Sequence, residues 1–435
     1  MSLAPPGKVA YVNARVIDPA SGFDGPGQVL TIGEEIAAVG AKLFEGRPPA
    51  DAKIFDCKGY CLAPGLVDMR VQLREPGEEH KESLKSGGSA AVAGGVTTMV
   101  TLPNTNPVID DEATVEYVAR RARMHQLAKV YVYGAATKGL AGKELAEMGL
   151  LAQAGALGFT DATRAIADAQ VMRRALSYAA TFGLLIIQHP EEPSLATGTM
   201  NAGEMATRLG LSGIPREAEI IMLERDLRLV AMTKGRYHAA HISTAESAAL
   251  IARAKADGLN VTCDTAPFYF ALNELAVGDY RTFAKLSPPL RSEEDRQAIV
   301  AALKSGVIDC IASDHAPQDQ DSKRLPFPQA AFGGSGLETL LPVALSLVHG
   351  GSMKLIDALA RLTVAPARLL GLDAGRLATG KKADMVIFDP DRGWKVIADN
   401  FRSKSKNSPF DGQPVEGQVL RTIIDGRVVY DDFGA

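Results

Sequence analysis

The run PREAEIIMLERDLRLVAMTKGRYHAAHIS, residues 215–243, holds one complete unit of the pattern that decides the fold. Its first part repeats apolar residues at helical period; its last part, YHAAHIS, is a short apolar run with strand character. The same pairing recurs on both sides. Strand-like runs stand at LVDMRVQL (66–73), TTMVTLPN (97–104), KVYVYGAAT (129–137), GALGFTD (155–161), LLIIQHP (184–190), NVTCDTAP (260–267) and VIDCIASDHA (307–316). Helix-period segments such as EATVEYVARRARMHQLA separate them. Apolar strands joined by helices indicate a parallel sheet. Eight such units favour a (β/α)₈ TIM-type barrel, an α/β fold, over an open doubly wound sheet. No G-x-G-x-x-G follows a strand, so nothing supports dinucleotide binding.

Outside this core the texture changes. From Lys8 to Cys61, and again in ADMVIFDP and QVLRTIIDGRVVYDD near the end, short β-rich runs are broken by Gly, Pro and Asp. They predict a small β-sandwich built from both termini, residues 1–60 plus 374–435, around a barrel over 61–373.

The 435 residues carry a formal net charge of −4, which argues for neither a nucleic-acid nor an anionic membrane partner. No apolar stretch is long enough to span a bilayer, and the N-terminus lacks the pattern of a signal peptide. Cys57, Cys61, Cys263 and Cys310 form no C-x-x-C pair and read as reduced thiols, consistent with a cytoplasmic protein.

Barrel chemistry gathers at the C-terminal ends of the strands. Here those ends offer Arg70, Gln72, Asn104, Asp161, His189, His241 and Asp314. Singly, each has a bland explanation: a strand histidine is usually a bonded core residue, and an Asp after a strand is usually a helix cap. Two carboxylates and two imidazoles at equivalent positions of four strands are harder to dismiss. Such a set suits zinc, which polarises an amide carbonyl and generates hydroxide from water.

PGLVDMRVQLREPG, TLPNTNP, GFTD, QHPEE, LGLSGIP, HIST, SPPLRSEEDR, SDHAP, GLETLLP, APARLLGL and NSPFDGQPVEG follow one another from about residue 60 onward. In these blocks the chain resembles the dihydroorotases of the amidohydrolase superfamily, class I bacterial type. The resemblance implies the barrel and composite sandwich described above, and interconversion of N-carbamoyl-aspartate and dihydroorotate in pyrimidine biosynthesis. It implies Asp161 as a bridging metal ligand, His189 and His241 as ligands of the second metal, and Asp314 as general base. Arg74 and Asn104 match the groups that hold the substrate carboxylate, a task suited to a bidentate guanidinium; a structural salt bridge is the plainer reading of Arg74.

The same resemblance exposes departures. The family's first strand carries H-x-H, two ligands of the first metal; here Arg70-Val71-Gln72 stands in its place. An arginine carries its charge at any accessible pH and offers no metal-binding lone pair. Ser287 replaces the Asn before PPLR, Gln318 replaces the His after DHAP, and Phe268 and Tyr269 stand where the seventh strand often has histidines. We therefore expect Arg70 to stand in for the lost cation, pairing with Asp161 or Asp314, and at most one zinc at the second position. An impaired or non-catalytic homologue follows, for which the resemblance implies a scaffold role toward aspartate transcarbamoylase and homo-oligomerisation. The alternative is a mononuclear zinc amidohydrolase using Asp161, His189, His241 and Asp314 on dihydroorotate or another cyclic amide. Hydantoinases, dihydropyrimidinases and allantoinases usually bridge their metals with a carboxylated lysine, where this chain has Asp161; Lys138 reads as a surface residue. His315 is expected to orient Asp314 from behind. Residues 318–336 read either as a lid over the barrel mouth or as a surface loop; Ser335, in GGSG, lacks the spacing of a nucleophile elbow.

Overall fold

The computed structural model describes residues 6–44 and 46–433. Five strands open the chain: β1 (Lys8–Asp18), β2 (Phe23–Ile32), β3 (Glu35–Gly40), β4 (Lys53–Asp56) and β5 (Cys61–Pro64). The barrel follows with β6 (Leu66–Val71), β7 (Val96–Thr101), β8 (Lys129–Gly134), β9 (Ala156–Phe159) and β10 (Leu185–Gln188). After a two-residue ladder, β11 (Met200–Asn201) with β12 (Gly213–Ile214), come β13 (Arg236–Ala239), β14 (Val261–Thr265) and β15 (Cys310–Ile311). The chain ends on β16 (Met385–Lys395), β17 (Pro414–Ile424) and β18 (Arg427–Asp431).

The central sheet runs β15-β14-β13-β10-β9-β8-β7-β6, with parallel neighbours throughout. It closes where Val71 bridges His315 and the Gln72 amide donates to the His315 carbonyl at 2.8 Å. The eight strands are those read from the sequence. β6 and β7 are buried at every position, because helices cover the outside and side chains fill the inside. The run at 215–243 folds as the helix Glu217–Thr233 followed by β13.

The terminal strands join in one sheet, β18-β17-β16-β5-β1-β2-β3, with β4 pairing β1. Its inner side chains, among them Tyr11, Val29, Leu62, Met385 and Ile423, form a separate buried cluster. Its other face joins the barrel core through Ile17, Val386, Phe388 and Val419. Gly95, at φ +82°, sits in this seam, where an added Cβ would lie 2.9 Å from a Val386 methyl. Lys129, opening β8, reaches Asp384 and Asp425 of the terminal unit, each at 2.7 Å. No helix among the described residues is long and apolar enough to cross a membrane. The four cysteines are free thiols, all buried.

Candidate active site at the barrel mouth

The first strand turns Arg70 inward, and its side chain is 2% exposed. Its Nε donates to Asp314 Oδ1 at 3.0 Å, and Nη2 donates to the Ala162 carbonyl at 3.3 Å. Of the two carboxylates expected as partners, Arg70 takes Asp314. The second oxygen of Asp314 lies 3.1 Å from His241 Nδ1. His241 Nε2 faces His189 Nδ1 at 2.8 Å, and His189 Nε2 faces Glu191 Oε2 at 3.3 Å. Ser287 Oγ donates to that same Glu191 oxygen at 3.0 Å. One polar chain thus crosses the mouth from Arg70 to Ser287.

Proton counting constrains this chain. His241 must donate through Nδ1 to Asp314, so its Nε2 accepts from His189 Nδ1. His189 Nε2 then meets the Glu191 carboxylate as a donor only if the two rings together carry three protons. Burial would raise Asp314, but His241 and Arg70 outweigh it and hold the carboxyl below its usual range. His241 is pushed down, by burial first and then by Arg70. His241 at φ +39° and Asp314 at φ +48° both sit in the left-handed region, a strain that residues at functional positions often carry.

The remaining expected residues are engaged elsewhere. Asp161 accepts from the Thr137 amide at 2.9 Å through Oδ1 and from the Thr137 hydroxyl through Oδ2. Burial raises it, against these Thr137 hydrogen bonds. Gln72 accepts from Asn104 Nδ2 at 3.0 Å. Arg74, at φ +59°, donates to the Pro317 carbonyl at 3.3 Å and to Glu78 at 3.2 Å. Tyr269, in the short helix Pro267–Ala271, donates to the Pro288 carbonyl, and its ring lies nearly perpendicular to that of His241 with the centroids 6.3 Å apart. Phe268 stacks on Phe410. Gln318 is turned away, its Nε2 on the Phe332 carbonyl at 2.8 Å.

His315 corrects an expectation. It does not brace Asp314: its Nδ1 accepts from the Gly336 amide at 3.2 Å, which leaves Nε2–H for Glu82 at 3.4 Å. A side chain at Gly336 would not fit, because a Cβ there would lie 2.4 Å from the Ser313 carbonyl oxygen. Glu82 also accepts from Ser403 and Ser86, so His315 fastens the mouth to the C-terminal segment. Lys138 is exposed and paired with Glu144, as a surface residue should be.

These donors do not make a zinc site as they stand. Zinc needs at least three protein ligands, and only the two imidazoles converge; Asp161 is spent on Thr137 and Asp314 on Arg70. Among the described residues no three His, Cys, Asp or Glu side chains are grouped to hold a cation. Glu191 and Thr137 are the residues that sequence reasoning missed. Glu191 lay in the quoted QHPEE block, two residues past His189, whereas Thr137 had no signal beyond ending a strand.

Beside this chain lies a cavity of about 790 Å³, walled by His189, Glu191, Ser287, Ile214 and Phe332 and rimmed by Lys143 and Arg164.

Residues 59–247 match the family model described as dihydro-orotase-like, and residues 218–430 match that of the amidohydrolase family. The dihydroorotase of Anaplasma phagocytophilum (strain HZ) is 46% identical over 97% of this chain and 95% of its own length. That of Wolbachia sp. subsp. Drosophila simulans (strain wRi) is 46% identical over 97% of this chain and 96% of its own. Among solved structures, the L-hydantoinase (dihydropyrimidinase) from Arthrobacter aurescens superposes with a TM-score of 0.86 at 26% identity, covering 98% of this chain and 96% of that one. The dihydropyrimidinase from Brevibacillus agri NCHU1002 shares the fold, with a TM-score of 0.81 at 23% identity over 98% and 95% of the two chains. With near-complete coverage at this identity, the chain belongs to the dihydroorotase family of amidohydrolases.

Proposed function

We propose that this chain is a dihydroorotase-family protein of pyrimidine biosynthesis whose interconversion of N-carbamoyl-aspartate and dihydroorotate is impaired or absent. One observation carries the reading: the buried Arg70 guanidinium, on the strand that should supply two imidazoles, is bonded to Asp314 at 3.0 Å. A general base needs a free lone pair aimed at the proton it takes. Asp314 has one lone pair of each oxygen engaged, on Arg70 and on His241, and the guanidinium charge beside it lowers its basicity. Arg70 compensates its charge but supplies no hydroxide.

With the carboxylate-binding groups Arg74 and Asn104 also internally bonded, the residues present serve architecture better than turnover. The reading extends to a cytosolic homo-oligomer that scaffolds aspartate transcarbamoylase. That extension rests on the family resemblance.

A second reading, a single zinc on Asp161, His189 and His241 in an active cyclic-amide hydrolase, has one observation in its favour. Each imidazole has a carboxylate on its outer nitrogen, Glu191 or Asp314, as metal-bound histidines usually do. It requires Asp161 to add a metal bond to the two hydrogen bonds it accepts from Thr137.

Substituting Arg70→His and Gln72→His together tests the main reading. We expect the double variant to take up zinc that the parent chain does not, with cyclisation of N-carbamoyl-aspartate rising from background. A double variant that folds and still binds no metal counts against it.

A further inference from the structure

The turn that carries His241 is held at each of its amides. Past the end of β13, the Ala240 amide donates to the Gln188 carbonyl at 2.9 Å and the Ile242 amide to the Asp264 carbonyl at 3.0 Å. The Ser243 amide donates to Glu219 at 3.0 Å. Between them His241 stands at φ +39°, and its amide donates to the side chain of Asp264, Oδ1, at 2.7 Å. A residue other than glycine keeps a left-handed backbone only where its surroundings over-determine it. A buried amide must also find an acceptor. His241 and Asp264 are each 1% exposed, and the Asp264 side chain meets both demands on β14. The polar chain across the mouth depends on that backbone, because the His241 ring has to face Asp314 and His189 at once.

Asp264 is itself held from below. Its Oδ2 faces His238 Nε2 at 2.8 Å, and His238 Nδ1 faces Thr262 Oγ1 at 2.8 Å. A carboxylate only accepts, so His238 presents Nε2–H to it, and the Thr262 hydroxyl donates to Nδ1 of the neutral ring. His238 is fully buried and bonds only Asp264 and Thr262 through its ring.

We propose that Asp264 is a positioning residue for the barrel mouth: by accepting the His241 amide, it holds the strained backbone that aims the His241 ring between Asp314 and His189. His238, bonded at the far oxygen, fixes the carboxylate in turn. The inference rests on the reading of the mouth as one polar chain from Arg70 to Ser287, and it requires neither metal nor turnover.

The test is imidazole nitrogen NMR of the full chain carrying isotopically labelled histidine, with His238 and His241 assigned from His238→Gln and His241→Gln. The parent chain should show His241 protonated at Nδ1 and His238 at Nε2. Asp264→Asn keeps an oxygen for the His241 amide but turns an N–H toward His238. The His241 signals should then stay, while the His238 proton moves to Nδ1, where Thr262 accepts it. Asp264→Val, similar in volume but without an acceptor, should displace the His241 signals. Two results overturn the proposal: His241 signals unmoved in a folded Asp264→Val, or displaced as far by Asp264→Asn as by Asp264→Val. If Asp264→Val does not fold, Asp264→Asn decides alone, and His241 signals that move there overturn the proposal. Zinc content and cyclisation do not enter the measurement, so this inference and impaired turnover fail independently.

Discussion

Arg70 and Asp314 are both buried, and at that depth an ion pair is best judged by what happens when one half is removed. Substituting Arg70→Met would strand the Asp314 carboxylate next to a polarised imidazole and leave the Ala162 carbonyl without its donor. A loss of about 3–5 kcal/mol is expected in urea unfolding. Arg70→Lys, which keeps a charge but not the two-armed geometry, should lose less. A neutral Arg70→Met would mean that Asp314 is compensated by something other than the guanidinium. The sequence supplied the residue types here but not their pairing. That Arg70 and Gln72 replace imidazoles is readable in one line of sequence. That Arg70 chooses Asp314, and that Thr137 occupies Asp161, depends on how adjacent strands are staggered, which the one-dimensional pattern does not specify.

At the scale of elements, the eight barrel strands were legible because each is an apolar run separated from the next by a helix-period segment. The loop after the last strand was not legible, and its uncertain reading as lid or surface loop has a physical resolution. Residues 320–324 form a short helix, and the loop is fastened by Lys323 and Lys285, both buried and without a carboxylate partner among the described residues. Lys323 Nζ donates to the carbonyls of Thr282 and Ala331, and Lys285 Nζ to those of Phe327 and Pro328. Gln318 and the Lys285 ammonium, 4.5 Å from the Phe332 ring, hold that ring against the cavity. Burial, with the neighbouring Lys285 charge, pushes Lys323 down to about 7. Its ordinary value is near 10.4, so between these limits the unfolded chain binds more protons and folding stability rises with pH. The contribution is present above about pH 10 and is lost as pH falls through 7, with a slope of at most about 1.4 kcal/mol per pH unit. Urea unfolding at pH 9 and at pH 6.5 should therefore show a larger loss on acidification for the parent chain than for Lys323→Met. Equal losses would mean that Lys323 keeps its charge in the fold.

Across the whole molecule, the barrel and the terminal sheet share one core and one ionic joint. Lys129 is raised by Asp384 and Asp425 against the effect of burial, and it is the cation that both carboxylates share. Lys129→Met would leave the two acids facing each other in a half-buried seam, at an expected cost of about 2 kcal/mol in thermal unfolding. No change in melting temperature would show that apolar contacts such as Val386 and Val419 hold the seam alone. That both termini contribute strands was legible in their shared β texture. The joint was not, because its partners lie about 255 and 296 positions apart in the chain.

The most direct test of the central claim is the zinc content of the purified full chain by elemental analysis, before and after zinc is added, with cyclisation of N-carbamoyl-aspartate assayed on the same sample. An Arg70 that stands in the place of the first metal, with Asp161 held by Thr137, predicts no stoichiometric zinc and no turnover in either state. About one zinc per chain accompanied by turnover would contradict it and establish Asp161, His189, His241 and Asp314 as a working mononuclear site.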